Sequence, residues 1–349
     1  MTWLTWRQFR LQAYAMFGLI ALLLASLVAT GGHLRSQFVA SGLSRCGDVN
    51  ACGRAQHLFA GGVNAYPPAT ALYFAGIVAM YVVPVLIGMF WGSPMVAREL
   101  EARTLRVTWS QGVTRTRWIT VKLALVGAVA VFSVTLLSSA VTWWADPIDR
   151  ASATAAHDQG LTLPNHFTPL VFGARGVVPV GYALFAFVAG VAAGLMTGRT
   201  LAAMAVIAAL LVGVALSIPL IARPHYVKAA HLAVELQLTP ATPQTIRLDN
   251  GRLRVSTPAE IPGAWVLSAV TSNASGRTDV AAPAVCMSAT ASLADCDTAI
   301  NKLHLRQVVT YQPASRFWPF QLIEAAIYLV LAALIAVFCL RRASTIDLT

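Results

Sequence analysis

Three sets of residues have types and spacings that bear on chemistry. Glu324 is the lone formal charge among the side chains of six long apolar stretches. An ionisable group at membrane depth is costly and points to function by default. Here it reads as a gating or substrate contact, or as half of a structural pair, since Arg316 lies only about two helical turns away. Glu99 and Arg103 stand four apart in the order that favours a helical ion pair, inside a basic segment that also carries Arg115 and Arg117. Cys46 with Cys52, and Cys286 with Cys296, form two close couples, while Cys339 lies in the last apolar stretch. On an oxidising side of a membrane such couples predict two local disulfides, with four free thiols as the alternative. Neither couple has the tight spacing of a metal site, and the seven histidines show no HExxH arrangement, so no metal is expected.

Absent motifs narrow the chemistry further. A phosphate-binding loop GxxxxGK[ST] requires a Gly-Lys pair, because the lysine reaches the phosphates from a glycine turn. No Gly-Lys pair occurs anywhere in the 349 residues. There is no Gly-x-Ser-x-Gly elbow and no dinucleotide fingerprint. The chain is therefore expected to be no enzyme in itself and to hold no cofactor.

The elements that carry these residues follow from hydropathy. Apolar stretches cover 13–30, 71–91, 123–144, 177–197, 201–222 and 318–340. Each is about 18–23 residues, enough to cross a ~30 Å hydrocarbon core as a helix. The chain is 57% hydrophobic and 11% charged, against about 25% charged in ordinary globular domains. A water-soluble helix would need a polar stripe, and these stretches have none. The fold class is an all-α membrane protein. Six transmembrane helices are expected, with a short cytoplasmic helix between the second and third and a small mixed extracellular domain before the sixth.

The net charge of +11 does not indicate nucleic acid, because the basic residues flank spans instead of clustering with stacking aromatics. With the amino terminus inside, the short inner segments 1–12, 92–122, 198–200 and 341–349 hold eleven of the 25 basic residues. That density sets the orientation and places both termini in the cytoplasm. Trp3, Trp6, Trp91 and Trp118 would then mark the inner interface, and Trp143, Trp144 and Trp318 the outer one.

Segment by segment, 1–12 reads as an amphipathic interfacial helix or simply as a basic flank of the first span. Residues 13–222 hold five spans, with an outside loop at 31–70 and an inner loop at 92–122. The first span is expected to be retained and not cleaved as a signal peptide. Residues 145–176, with Pro147, Pro164 and Pro169, read as loop, and 198–200 as a tight connection. Residues 223–317 form an extracellular domain in which 245–249 and 252–255 read as strands of one hairpin. Residues 318–349 are the sixth span and a short tail. Gly190, Gly194 and Gly198 make a doubled GxxxG, and Gly88 and Gly92 a single one, which predicts close helix packing. Pro84, Pro179 and Pro219 fall within spans and predict kinks.

The inner segment is the most informative polar stretch. Ser93-Pro94 can open a helix, Gly112 can end it and Thr114 can cap the next. The result is a short helix crossing the inner surface between two spans, or a basic loop that only sets topology. Here a resemblance enters. The run Val96 to Thr104, then Trp109-Ser110-Gln111-Gly112 through Trp118 and Lys122, resembles the loop between the second and third spans of type-2 ATP-binding-cassette permeases of the actinobacterial kind. Thr142-Trp143-Trp144, Leu170 to Gly176, Pro262 to Leu267 and Val308 to Phe320 are similar to that set as well. The long first outside loop departs from it.

The resemblance implies a permease subunit of an ATP-driven exporter in the bacterial plasma membrane. It implies a coupling helix that docks on a separate cytoplasmic ABC ATPase, which would hold ATP and Mg. Glu99, Arg103, Arg115 and Arg117 would be the coupling residues. The second permease would be an identical or related chain, with lipid around both and no nucleic acid. Two rivals stand beside it. A membrane enzyme acting on lipid or cell-wall precursors would converge Glu324 and outside histidines on a cavity near the outer leaflet. A sensor or scaffold would bind its ligand through 223–317. Lipid, peptide, drug and ion all remain open as cargo.

Overall fold

The computed structural model describes residues 2–46, 49–102, 114–154, 165–236, 245–249, 252–256, 261, 263–273, 276–278, 280–287 and 292–345. Arg103 and the middle of the 92–122 segment, with Gly112, lie outside them, as does the side chain of Arg115. Among the described residues, six helices are long and apolar enough to cross a membrane: Phe9–Ala40, Pro67–Glu101, Thr116–Ala153, Val178–Thr197, Thr200–His225 and Ala314–Ser344.

The helices outrun the apolar stretches. The first, α1, runs Thr2–Ala40 without a break. Nothing between Gln12 and Ala13 stops a helix, so 1–12 continues the span instead of forming a separate piece. Much of the expected loop 31–70 is helical too: after the short turn Leu43–Arg45 comes α2 at Val49–Asn64. Cys46 and Cys52 stand at disulfide distance across the join, with Cα atoms 5.3 Å apart. The second span is α3, Pro67–Leu86, continued by a π-helical turn at Ile87–Gly92 and by α4 at Ser93–Glu101. The third, α5, runs Arg115–Thr154. The loop expected from residue 145 is therefore helical as far as Thr154, and Asp146 pairs with Arg150 one turn on, at 2.9 Å.

A short helix α6, Pro169–Phe172, precedes the fourth span, α7, Val178–Thr197. The fifth, α8, is Thr200–Ser217 with a π-helical turn at Ile218–Ala222. The prolines explain the irregular turns. Pro84 and Pro219 each lie in or just before a π-helical turn, which absorbs the missing donor. Pro179 sits in the first turn of α7, where that donor has no helical acceptor to lose.

Helix α7 is the axis of the bundle: 89% of its apolar window is buried, against 22% for α1 and 17% for α8. Small residues make this possible. A Cβ on Gly190 would meet the Gly88 carbonyl oxygen and the Cα of Gly92, and one on Gly194 would meet the Ser93 carbonyl oxygen at 2.5 Å. The backbones of α7 and the second span thus come into contact at these glycines. Gly198 is different. Nothing lies within 4 Å of its Cβ position, and its φ of 61° makes it the left-handed residue that ends α7. The tryptophans also divide. Trp91, Trp118 and Trp144 are buried, and the Trp144 indole donates to Thr30 Oγ1 at 2.9 Å, while Trp143 and Trp318 stay exposed.

Beyond the fifth span lie two antiparallel three-stranded sheets, followed by the last span, α10, at Phe317–Ser344. One sheet has the order β1 (Ala230–Glu235), β6 (Arg306–Gln312), β4 (Trp265–Ser272). The other has β2 (Thr245–Asp249), β3 (Arg252–Ser256), β5 (Val280–Ala281). The hairpin pairs Asp249 with Arg252, the register its sequence suggested. Helix α9, Leu293–Asn301, opens with a reciprocal Ser292–Asp295 capping box. Cys296 on it stands at disulfide distance from Cys286.

Candidate functional site

Two polar clusters sit at opposite ends of the bundle. They are called inner and outer after the orientation expected from the charge pattern, and the inner one is built on α4, whose acids point in different directions. Glu99 accepts from the Lys122 ammonium of α5 at 2.5 Å. Lys122 is 5% exposed, donates also to the Met95 carbonyl at 3.4 Å and lies 4.6 Å over the Trp118 ring. Two residues further, Glu101 accepts from both the backbone N–H and the hydroxyl of Thr200, each at 2.8 Å. It thereby satisfies orphan donors at the start of α8 and places a negative charge at that helix's positive end. Helix α4 is fastened to α5 by one acid and to α8 by the other, and its first residue is packed on α7.

The remaining inner residues fall around this joint. Thr114 Oγ1 accepts from the Arg117 N–H at 3.4 Å, the cap expected for α5, and the Arg117 side chain is exposed. Arg98 is exposed beside a cavity of about 230 Å³ that Glu99 and Lys122 also line.

The outer cluster centres on Glu324 of α10. Its two oxygens accept from Arg223 Nε at 2.8 Å and Nη2 at 2.9 Å, with side-chain exposures of 1% for Arg223 and 2% for Glu324. The third arm of the guanidinium, Nη1, donates to the Pro169 carbonyl at 2.9 Å, and its face lies 4.3 Å over the Phe172 ring. One helical turn away, Gln321 accepts from the N–H groups of Val177 and Val178, both at 3.1 Å, and donates to the Phe172 carbonyl at 2.9 Å. Short helix α6 is thus gripped at its first residue by Arg223 and at its last by Gln321. The same glutamine caps α7. The adjoining void measures about 10 Å³, room for one water at most.

Beside it, Arg175 Nε donates to Asp149 Oδ2 at 3.3 Å, and the guanidinium lies 5.2 Å over Tyr73. Both Arg175 terminal nitrogens, Asp149 Oδ1 and His166 Nδ1 are buried without a hydrogen-bond partner. Burial holds the His166 imidazole below its usual range; Asp149 opposes that shift and Arg175 adds to it. Burial likewise pushes the Tyr226 phenol up, helped by the neighbouring Glu324.

Glu324 is therefore paired with Arg223 and not with Arg316, whose guanidinium instead donates to the Lys228 carbonyl and the Gln312 side chain. Reading the sequence missed Arg223, Gln321 and Glu101. Arg223 did carry a signal, as a basic residue at the outer end of a span where the charge rule disfavours it. Gln321 carried another, as an amide three residues before the lone carboxylate of an apolar stretch. Glu101 carried none, since its partner is 99 residues away. No cluster of three or more metal-ligating side chains occurs among the described residues.

No curated protein and no solved structure matches the chain. A family model described as ABC-2 membrane transporter related matches residues 17–223, more than half of the length. The match takes in most of the first span, the second to fourth, nearly all of the fifth, the α4 joint and Arg223, and stops before the sheets. Permeases of this kind are the membrane-spanning components of ABC transporters and in general work with an ABC ATPase. A multi-pass chain whose buried axis, inner joint and outer arginine all fall inside that match belongs to the ABC-2 membrane transporter related family.

Proposed function

We propose that the chain is the permease subunit of an exporter in the bacterial plasma membrane, with both termini in the cytoplasm. It works beside an identical or related second permease. A separate ABC ATPase, holding ATP and Mg, docks on the 92–122 segment from the cytoplasm. Glu99, Arg103, Arg115 and Arg117 are its coupling residues, and this chain performs no hydrolysis itself. The observation that carries this reading is the double fastening of α4. A push on the segment beyond Glu101 reaches α5 through Glu99–Lys122 and α8 through Glu101–Thr200. A loop that only set topology would need neither bond.

At the other end, the Arg223–Glu324 pair is an outer latch. It joins the ends of the fifth and sixth spans, which must part for cargo to leave. The void of about 10 Å³ beside it leaves no room for a lipid or cell-wall precursor, which weighs against an enzyme built on Glu324.

Purification with the candidate ATPase tests the reading. The Glu99→Lys variant should still assemble and hydrolyse ATP but should lose transport. Normal coupled transport by that variant, or a reporter fused at residue 110 that lies outside the cell, would sink it.

A further inference from the structure

The cavity beside the inner joint has an unassigned use. It lies between the inner ends of α1, α4 and α5 and has two unlike sides. Phe9, Trp91 and Val126 form an apolar wall, each under 7% exposed, with the Phe9 and Trp91 rings edge to face at 4.7 Å. Arg98 and Gln12 form a polar mouth. Glu99 is also at the mouth, where Lys122 holds it at 2.5 Å, and the exposed Arg98 cation stands beside that pair.

We infer that this cavity holds one anionic phospholipid of the inner leaflet, its phosphate on Arg98 and Gln12 and the start of an acyl chain along Phe9, Trp91 and Val126. Size separates this from a cargo site. A volume of about 230 Å³ falls below the ~300–1,000 Å³ of pockets that enclose a whole small molecule. It suits the junction of an amphiphile whose tails remain in the bilayer. Charge separates an anionic from a zwitterionic lipid, because a basic pocket between spans on the cytoplasmic side attracts anionic head groups. Charge-assisted hydrogen bonds from a guanidinium to phosphate supply the selectivity. The lipid would sit where α1 meets α4, against the joint that carries the proposed stroke. The leaflet assignment rests on the cytoplasmic placement of 92–122 proposed above. Binding does not, and measuring it in detergent lets the two fail separately.

The test is native mass spectrometry of the full chain in detergent, titrated with phosphatidylglycerol or with phosphatidylcholine of the same acyl chains. Phosphatidylglycerol should bind about tenfold more tightly, a step of 1.4 kcal/mol. Arg98→Gln should erase that preference. Gln12→Trp, which fills the cavity and keeps every charge, should lose the bound lipid altogether. Arg342→Gln, exposed at the inner end of α10 away from the cavity, should bind as the wild type does. Excess glycerol phosphate should leave the lipid in place. The inference is overturned if Arg98→Gln and Gln12→Trp both retain phosphatidylglycerol as the wild type does. It is equally overturned if phosphatidylcholine binds as well, or if glycerol phosphate displaces the lipid and so marks a site for a soluble anion.

Discussion

The two ends of the bundle hold their charges in opposite ways. At the outer end, Glu324 and Arg223 use both oxygens and all three nitrogens, Gln321 makes three further bonds, and the space beside them is about 10 Å³. At the inner end, one lysine holds Glu99, a cavity of about 230 Å³ opens alongside, and Arg98 and Arg117 face outward. A buried ionic network is tolerable only when every member is satisfied, because an unpaired charge in a low dielectric is costly. The Arg223–Glu324 pair meets that condition and is closed, whereas Arg175, Asp149 and His166 beside it each keep a buried atom without a hydrogen-bond partner. The inner end leaves the Arg98 and Arg117 side chains exposed. On the proposed reading, one end holds its shape until the spans part and the other is gripped.

The largest effect that could break this contrast lies at the outer end. Glu324→Gln leaves Arg223 buried without its counter-charge and should cost about 3–5 kcal/mol, read as a lowered melting temperature in detergent. Replacing both partners, Arg223→Met with Glu324→Leu, should restore most of the loss, since a packed apolar pair is often neutral or stabilising. The inner end should respond less. Lys122→Met removes one charge-assisted bond from an acid that is 16% exposed and should cost about 1.5–3 kcal/mol. An inner loss equal to the outer one would mean that both joints are structural clamps, and the contrast would dissolve.

Much of this architecture is legible in the sequence, and the boundary of legibility has physical causes. Hydropathy locates the spans because the bilayer imposes a length on them. It cannot locate helix ends, because the polar residues after Thr30 and after Trp144 are good enough helix formers to carry α1 to Ala40 and α5 to Thr154. Gly190 and Gly194 announced their contact through spacing. Gly198 shared that spacing but ends a helix, which only φ reveals. The lone carboxylate stood out as Glu324, yet its partner did not, because Arg223 is 101 residues distant and only the fold brings it close. The tryptophan pattern spoke to depth and not to packing: Trp91, Trp118 and Trp144 are buried among the helices, which an interfacial preference does not foretell.

The smallest effect concerns protons and sharpens the contrast between a dry outer end and a wetter inner one. His166 lies in the outer cluster with Asp149 and Arg175, and burial keeps its imidazole from charging at the usual pH. The unfolded chain takes up that proton first as the pH falls through about 6.5. Stability contributed by this site is therefore complete above that value and declines with acid until the folded histidine also charges. Melting curves between about pH 8 and 5.5 should show a small acid-side decline. It should stay below the ~2–4 °C that 1 kcal/mol moves a domain of some 150–250 residues. His166→Gln should flatten it. A decline that survives in the His166→Gln variant would assign the acid sensitivity to another group and leave the outer cluster less dry than its geometry implies.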